Sequence, residues 1–310
     1  MKIKTALDYK LLSNSVVTIG TFDGVHIGHK KIIKRLVKIA KEESLQAIVL
    51  TFFPHPRMIV QKDTTIKMLN TIDEKTKLLE AEGIDHLVVK KFTKQFSRLS
   101  AQDYVRDLLV ETLHVKHIII GYDHHFGRNR TANIIDLKAF GEIYDFRVTE
   151  ISAQEIDEVT VSSTKIRKAL IDGDLKTANA FLGYNFMLTG TVVKGKGIGK
   201  QLEYPTANIN IKESYKLIPK NGVYVVKSKI NNTPVFGMMN IGTNPTFDGK
   251  VQSIEVHFFD FSKDIYGLQI EVEMLERLRD EKKFDSLEEL KHQLSDDLIN
   301  SKKYLKENDA

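Results

Sequence analysis

The hydrophobic pattern of this chain changes period once, near Tyr184, and that change limits the possible folds more than any other feature. Before it, short β-branched runs (SVVTIG, QAIVLTFF, HLVVKKF, HIIIGYD) alternate with amphipathic stretches such as KKIIKRLVKIAKEE, IDEKTKLLEAEG and SAQDYVRDLLVETL. Strand, helix, strand in repetition specifies a parallel sheet covered on both faces, with ligands beyond the carboxyl ends of its strands. The loops after Gly20, Phe53 and Gly121 are therefore expected at one edge. Ser100 is placed to start the helix that follows it.

After the change, FMLTGTVVKG, YPTANINI, GVYVVKSKI, PVFGMMNIG, SIEVHFFD and LQIEVEML follow one another through Gly, Asn and Pro turns. Six short strands without crossover helices predict a small antiparallel barrel, with INNTPV as a hairpin connection. The expected architecture is α/β plus mainly β: a parallel-sheet domain over 1–182, then a six-stranded barrel with a C-terminal helix over 183–310. ALIDGDLKTANAFLG, between the two regimes, is expected to begin as a short helix. In the closing helix, Asp285 is expected as the cap with Glu288 completing a capping box, and Leu287, Leu290, Leu294 and Leu298 as one face.

Composition narrows the function classes. The chain has 310 residues, 42% hydrophobic and 28% charged, which suits two soluble domains with ordinary cores. A net charge of +5 favours anionic partners without the basic, aromatic-rich stripe of a dedicated nucleic-acid binder. The absence of cysteine removes disulfides, thiolate catalysis and Cys-ligated zinc. No apolar run reaches membrane-span length, and MKIKTALDYKLLSNS lacks a signal-peptide core, so a cytoplasmic location is expected.

The chemistry concentrates in a few segments. GTFDGVHIGH follows a strand and opens a helix, a setting in which backbone N–H groups favour an anion. His26 and His29 there can donate to phosphate oxygens, and Gly20, Gly24 and Gly28 let the backbone come close. The plain alternative is a solvated turn that contains two imidazoles. Zinc is a weaker reading, because a third ligand and the metalloprotease spacing are missing. Ser163 and Thr164 can start the helix TKIRKALI as ordinary caps, and His55 between prolines can simply shape its loop. In the second half, KGKGIGKQLEYPTANI nearly reads as a Walker loop, but Gln201 follows Lys200 and Pro205 prevents an immediate helix. A glycine-rich flap over phosphates is the better reading.

The H-x-G-H pattern, with TFFPHPR, GYDHHFGRNR and VSSTKIR in that order, resembles the nucleotidylyltransferase superfamily, and in particular the bacterial bifunctional riboflavin kinase/FMN adenylyltransferases (FAD synthetases). PTAN, NIGTNPTF, EVHFFDF, DIYG and LRDEKKFDSLEEL resemble the riboflavin kinase domain of the same family. The likeness spans nearly the whole chain. It implies that riboflavin and ATP give FMN and ADP, that FMN and ATP give FAD and pyrophosphate, and that Mg²⁺ accompanies ATP. No nucleic acid or membrane partner is expected, and oligomeric state is left unassigned.

The resemblance also assigns residues. Gly20, Phe22, Asp23, Gly24, His26, Gly28, His29 and Asp123 would line the first nucleotide site, with Ser163, Thr164 and Arg167 on its phosphates. His26, His29 and Arg167 would act in adenylyl transfer. In the kinase, Gly195, Gly197 and Gly199 would cover the nucleotide and Thr206 and Asn208 would place Mg²⁺–ATP. Glu255 would be the base, and Arg279 and Asn240 would hold the flavin. Glu255 alternates with Ile254 and Val256, so on periodicity alone it is an outward polar residue. Two positions depart from the family: His125 stands where Arg is common, and Glu203 stands where Gly usually precedes the aromatic-Pro-Thr-Ala-Asn element.

Overall fold

A computed structural model describes residues 2–5, 13–63, 65–121, 124–152, 161–195, 199, 202–246 and 249–308. Its contacts divide the chain into two compact units, Met1–Ser163 and Thr164–Ala310.

The first unit holds a six-stranded sheet in the order β1-β4-β3-β2-β5-β6, every pair parallel. The strands are β1 (Lys2–Thr5), β2 (Ser15–Ile19), β3 (Gln46–Phe53), β4 (His86–Lys91), β5 (Val115–Gly121) and β6 (Arg147–Ile151). The helices are α1 (Ile27–Glu42), α2 (Pro56–Val60), α3 (Ile72–Ala81), α4 (Ala101–Asp103, continued by the π-helical Tyr104–Val110) and α5 (Ile134–Tyr144). Alternate residues of β2 and β3 feed two cores: Val17, Ile19, Ile48 and Leu50 on one face, Val16, Ala47 and Val49 on the other. α1 adds Ile33, Leu36, Ile39 and Ala40 at helical spacing to the second core. Burial of each such branched side chain contributes about 1.5–3 kcal/mol. Ser100 caps α4 by accepting from the Asp103 N–H at 3.0 Å. Because β2 lies between β3 and β5, the loops after Gly20, Phe53 and Gly121 leave the sheet along one edge.

The second unit contains α6 (Ser163–Asp172, from its second residue) and α7 (Leu175–Leu182), joined at Gly173. Six strands then close a barrel in the order β10-β11-β8-β7-β12-β9, all pairs antiparallel. They are β7 (Met187–Val193), β8 (Ala207–Asn210), β9 (Gly222–Ile230), β10 (Thr233–Thr246), β11 (Gly249–Phe258) and β12 (Gln269–Arg279). Asn231 and Asn232 turn the β9–β10 hairpin with φ of 48° and 64°, the left-handed pair that a two-residue turn requires. α7 is stitched to the barrel by Asn179, which donates to the Met274 carbonyl at 2.9 Å and accepts from the Phe186 N–H at 2.8 Å.

α8 (Leu287–Glu307) corrects two expectations. Its cap is Ser286, not Asp285: the Ser286 hydroxyl accepts from the Glu289 N–H at 3.2 Å, and Glu289 accepts from the Asp285 N–H at 3.2 Å. The leucine stripe is also incomplete. Leu287 is 62% exposed, Leu290, Leu294 and Leu298 are half-buried, and the buried helix positions are Asp297 and Ser301. This helix therefore engages its own unit through a polar contact, Asp297 with Arg279, as much as through leucines. No described helix is long and apolar enough to cross a membrane.

Candidate active sites

The first site grows from the end of β2. Phe22, Gly24 and Val25 have φ of 43°, 89° and 36°, so the loop after Gly20 coils through the left-handed region three times. That is costly for a β-branched valine, and such strain gathers where function fixes the backbone. The loop is secured from inside. Asp23 is fully buried, and its carboxylate accepts from the Leu69 N–H at 2.9 Å and the Asn70 N–H at 3.4 Å. The Thr21 carbonyl accepts from Lys75 Nζ at 2.7 Å and from the Thr51 hydroxyl at 3.1 Å.

His26 is the N-cap of α1, and its Nδ1 accepts from the His29 N–H at 3.4 Å. Nδ1 therefore carries no proton, and the ring's N–H is at Nε2. The two imidazoles stack with centroids 3.6 Å apart, and Phe22 lies 4.9 Å from His29. Gly28 leaves room for the stack, since a Cβ there would lie in a tight contact 3.3 Å from the His26 ring. His26 is 6% exposed, so the solvated-turn reading fails. Burial pushes the His26 pKa down to about 4, against the opposing pull of Asp23. His29 is held well below the usual imidazole range by burial first, then by His26 and Lys75. Both rings are neutral donors at pH 7 rather than cations.

Ser163 starts α6, and its hydroxyl donates to the Asp23 carbonyl at 2.8 Å, which joins the VSSTKIR segment to the loop. Thr164 and Arg167 follow on the same helix. His55 caps α2 by accepting from the Arg57 N–H at 3.2 Å, as a loop-shaping residue would. Asp123 lies outside the described residues, as does Gly197 of the flap.

The second site is a row across three barrel strands: Asn240 on β10 pairs with Glu255 on β11, which pairs with Asn208 on β8. Residues directly opposite in a ladder project from the same face. Glu255 is half-buried between buried Ile254 and Val256, and its carboxylate accepts from the Thr206 hydroxyl at 3.1 Å. Gly195 lies so close to this row that a Cβ would fall 2.1 Å from Asn208 Nδ2. Gly199 folds the far end of the flap by accepting from the Tyr204 N–H at 2.8 Å, where a Cβ would strike the Tyr204 carbonyl at 2.3 Å. His257 donates from Nδ1 to the Pro205 carbonyl at 2.9 Å, because a carbonyl can only accept. Thr206, Asn208 and Glu255 offer hydroxyl, amide and carboxylate oxygens, a set that fits a hard cation such as Mg²⁺. No cluster of three or more His, Cys, Asp or Glu suited to a metal occurs among the described residues.

Arg279 is less open than a flavin clamp would be. Its Nε and Nη2 hold Asp297 at 2.8 and 2.7 Å, and Nη1 donates to the Asp280 carbonyl at 3.0 Å. Asn240 is exposed. Glu203 is exposed, has φ of 70°, and reaches Lys291 on α8 at 2.8 Å. The glycine usual at this position is thus explained by the backbone, and the carboxylate turns toward a lysine. Sequence reasoning gave no role to Lys75, Thr51, His257 or Asp297: Thr51 and His257 fall inside TFFPHPR and EVHFFDF, but all four act through contacts remote in sequence.

A sheet whose carboxyl edge bears stacked imidazoles, followed by a barrel with a carboxylate beside a glycine-rich flap, defines a two-unit phosphorus-transfer enzyme. The comparisons place it further. Residues 8–165 match the FAD synthetase family and residues 182–305 the riboflavin kinase family. The chain is 40% identical to the bifunctional riboflavin kinase/FMN adenylyltransferase of Buchnera aphidicola subsp. Schizaphis graminum, over 95% of each chain. It is 40% identical to that of Listeria monocytogenes (92% of this chain, 90% of the relative) and 35% to that of Escherichia coli K12 (93% and 92%). A Streptococcus pneumoniae crystal structure described as a macrolide-efflux protein superposes with a TM-score of 0.86 at 34% identity, covering 95% of this chain and 96% of that one. The chain belongs to the bifunctional riboflavin kinase/FMN adenylyltransferase family.

Proposed function

We propose that the chain makes FAD from riboflavin in two ATP-dependent steps, one in each unit. The observation that carries this reading is the presence of both family matches, in order, in a single chain. The two matches favour this reading over the alternatives, an FAD synthetase with weakened or lost kinase activity and a flavin-sensing RNA-binding protein.

In the barrel, the riboflavin hydroxyl attacks the γ-phosphorus of ATP. Its proton passes to Glu255, the bond to the β-bridging oxygen breaks, and ADP leaves. The Thr206 hydroxyl fixes the orientation of the carboxylate, and a base positioned in this way contributes on the order of 10²–10⁴-fold. By the family resemblance Gly195, Gly197 and Gly199 are assigned to cover the nucleotide. Thr206 and Asn208 would hold Mg²⁺, which supplies charge neutralisation on the phosphates when bound. By the family resemblance Asn240 and Arg279 are assigned to the flavin, Arg279 through a guanidinium already held by Asp297 and the Asp280 carbonyl.

In the first unit, a phosphate oxygen of FMN attacks the α-phosphorus of ATP and pyrophosphate leaves. The nucleophile is already an anion, so the site needs alignment and charge screening rather than a base. His26 donates from Nε2, His29 donates beside it, and Gly20, Phe22, Asp23, Gly24 and Gly28 shape the cradle. By the family resemblance Asp123 is assigned to the nucleotide, and Ser163, Thr164 and Arg167 serve the phosphates, the arginine balancing the leaving group. The functional border is placed at 182/183, supported by the start of the kinase match at residue 182.

The test is incubation of the chain with riboflavin, ATP and Mg²⁺, followed by separation of the flavins. FMN and then FAD should accumulate; absence of both rejects the reading, and FMN alone leaves only the kinase standing.

A further inference from the structure

Lys75 sits in the first turn of α3 and is 1% exposed, beneath the loop that leads to the imidazole pair. Removing an ammonium from water costs several kcal/mol, and a methionine would fill the same volume without that cost. The charge must therefore contribute something in the folded state. Its Nζ holds the Thr21 carbonyl at 2.7 Å, and Thr51 holds the same oxygen from β3. Since the peptide is planar and trans, a carbonyl fixed inward turns the Phe22 N–H to the opposite side of the chain. The next residues are the left-handed Phe22, Gly24 and Val25. The stretch just before α3 grips the loop a second time, through Asp23 on the Leu69 and Asn70 amides. The charged and titratable groups that act on Lys75 or feel its charge are Asp23 from the loop and His29 at the start of α1, and its neighbour Glu74 on α3 is occupied in the Thr71 capping box.

We propose that Lys75 is a positioning residue for adenylyl transfer: its buried ammonium locks the strained loop through the Thr21 carbonyl and sets a fixed positive charge behind the imidazoles that meet the ATP phosphates. This rests on the reading of the imidazole pair as the nucleotide site. The charge adds to burial and to His26 in holding His29 neutral, and it contributes a preorganised field at the point where phosphate charge develops. Burial pushes the Lys75 pKa down to about 8, opposed by Asp23, so the ammonium is present below that pH and lost above it.

The experiment uses the full chain and measures FAD formation from FMN and FMN formation from riboflavin on the same preparations. Lys75→Met should lower kcat/KM for FAD formation at least about 30-fold, and FMN formation should stay within about twofold. Lys75→Gln, which keeps a donor without the charge, should also lose at least about 10-fold. In the unaltered chain, FAD formation should decline as pH rises through about 8, and both variants should lack that alkaline limb. Histidine NMR should show the His29 protonation midpoint moving up in Lys75→Met, a change that packing alone would not produce. FAD formation within about threefold of normal in a folded Lys75→Met chain overturns the proposal. A Gln variant with unimpaired rate overturns the role of the charge. If neither variant folds, the pH limb of the unaltered chain decides, and its absence overturns the proposal. If the unaltered chain makes no FAD from FMN at any pH, the adenylyltransferase reading fails instead, and the His29 midpoint still reports whether Lys75 charge acts on the pair.

Discussion

His26 is buried and stacks on the half-buried His29, both rings are neutral, and this makes the first unit sensitive to acid. The folded His26 has its pKa lowered to about 4 while the unfolded chain has the ordinary 6.5, so the unfolded state binds more protons between those values. Stability is complete above about 6.5 and is lost as pH falls toward 4; for His26 the change is on the order of 3 kcal/mol. Urea midpoints of the first unit should fall across this window, and His26→Gln should flatten the dependence. Among the site residues, those in contiguous motifs were legible in the sequence, because spacing alone brings His26 to His29 and Thr206 near Asn208. Lys75 and Thr51 were not. Their shared target, the Thr21 carbonyl, is a backbone atom that no pattern of side chains reveals.

At the scale of elements, α8 is joined to the barrel by one buried carboxylate. Asp297→Ala leaves Arg279 without its bidentate partner and should cost the second unit about 3 kcal/mol, at the low end for a broken buried pair because Arg279 is partly exposed. Thermal unfolding of that unit and loss of FMN formation, with FAD formation from supplied FMN retained, are the readouts. The turn at Glu203 gives a contrasting case. Its φ of 70° suits glycine, and its ion pair with Lys291 is exposed, so Glu203→Gly should leave FMN formation within about twofold of normal or higher, as measured by initial rates. The strands with buried, β-branched runs were readable from period alone, as QAIVLTFF and GVYVVKSKI show. β6 was not, since in RVTEI only Ile151 is buried and the parallel pairing with β5 makes it a strand. The cap of α8 was misplaced by one residue because Asp285 and Ser286 are both capping residues, each with a glutamate three residues on, and only the bond from Glu289 to Ser286 separates them.

At the scale of the whole molecule, the two units are built on different chemistry. On the proposed assignment, the sheet edge offers neutral donors and a strained loop for an attacking group that is already charged, and the barrel offers a carboxylate for one that must lose a proton. The switch from helical to strand-only periodicity announced this division, whereas the grouping of α6 and α7 with the barrel depends on contacts such as Asn179 with Met274. The most direct measurement compares His29→Ala and Glu255→Ala, both confirmed as folded, in an assay that separates riboflavin, FMN and FAD. His29→Ala should form FMN at the normal rate and lose FAD formation by about 10²-fold or more, and Glu255→Ala should lose FMN formation by a similar factor yet convert supplied FMN to FAD. If either substitution abolishes both steps, or neither affects its own, the assignment of one phosphorus reaction to each unit is contradicted.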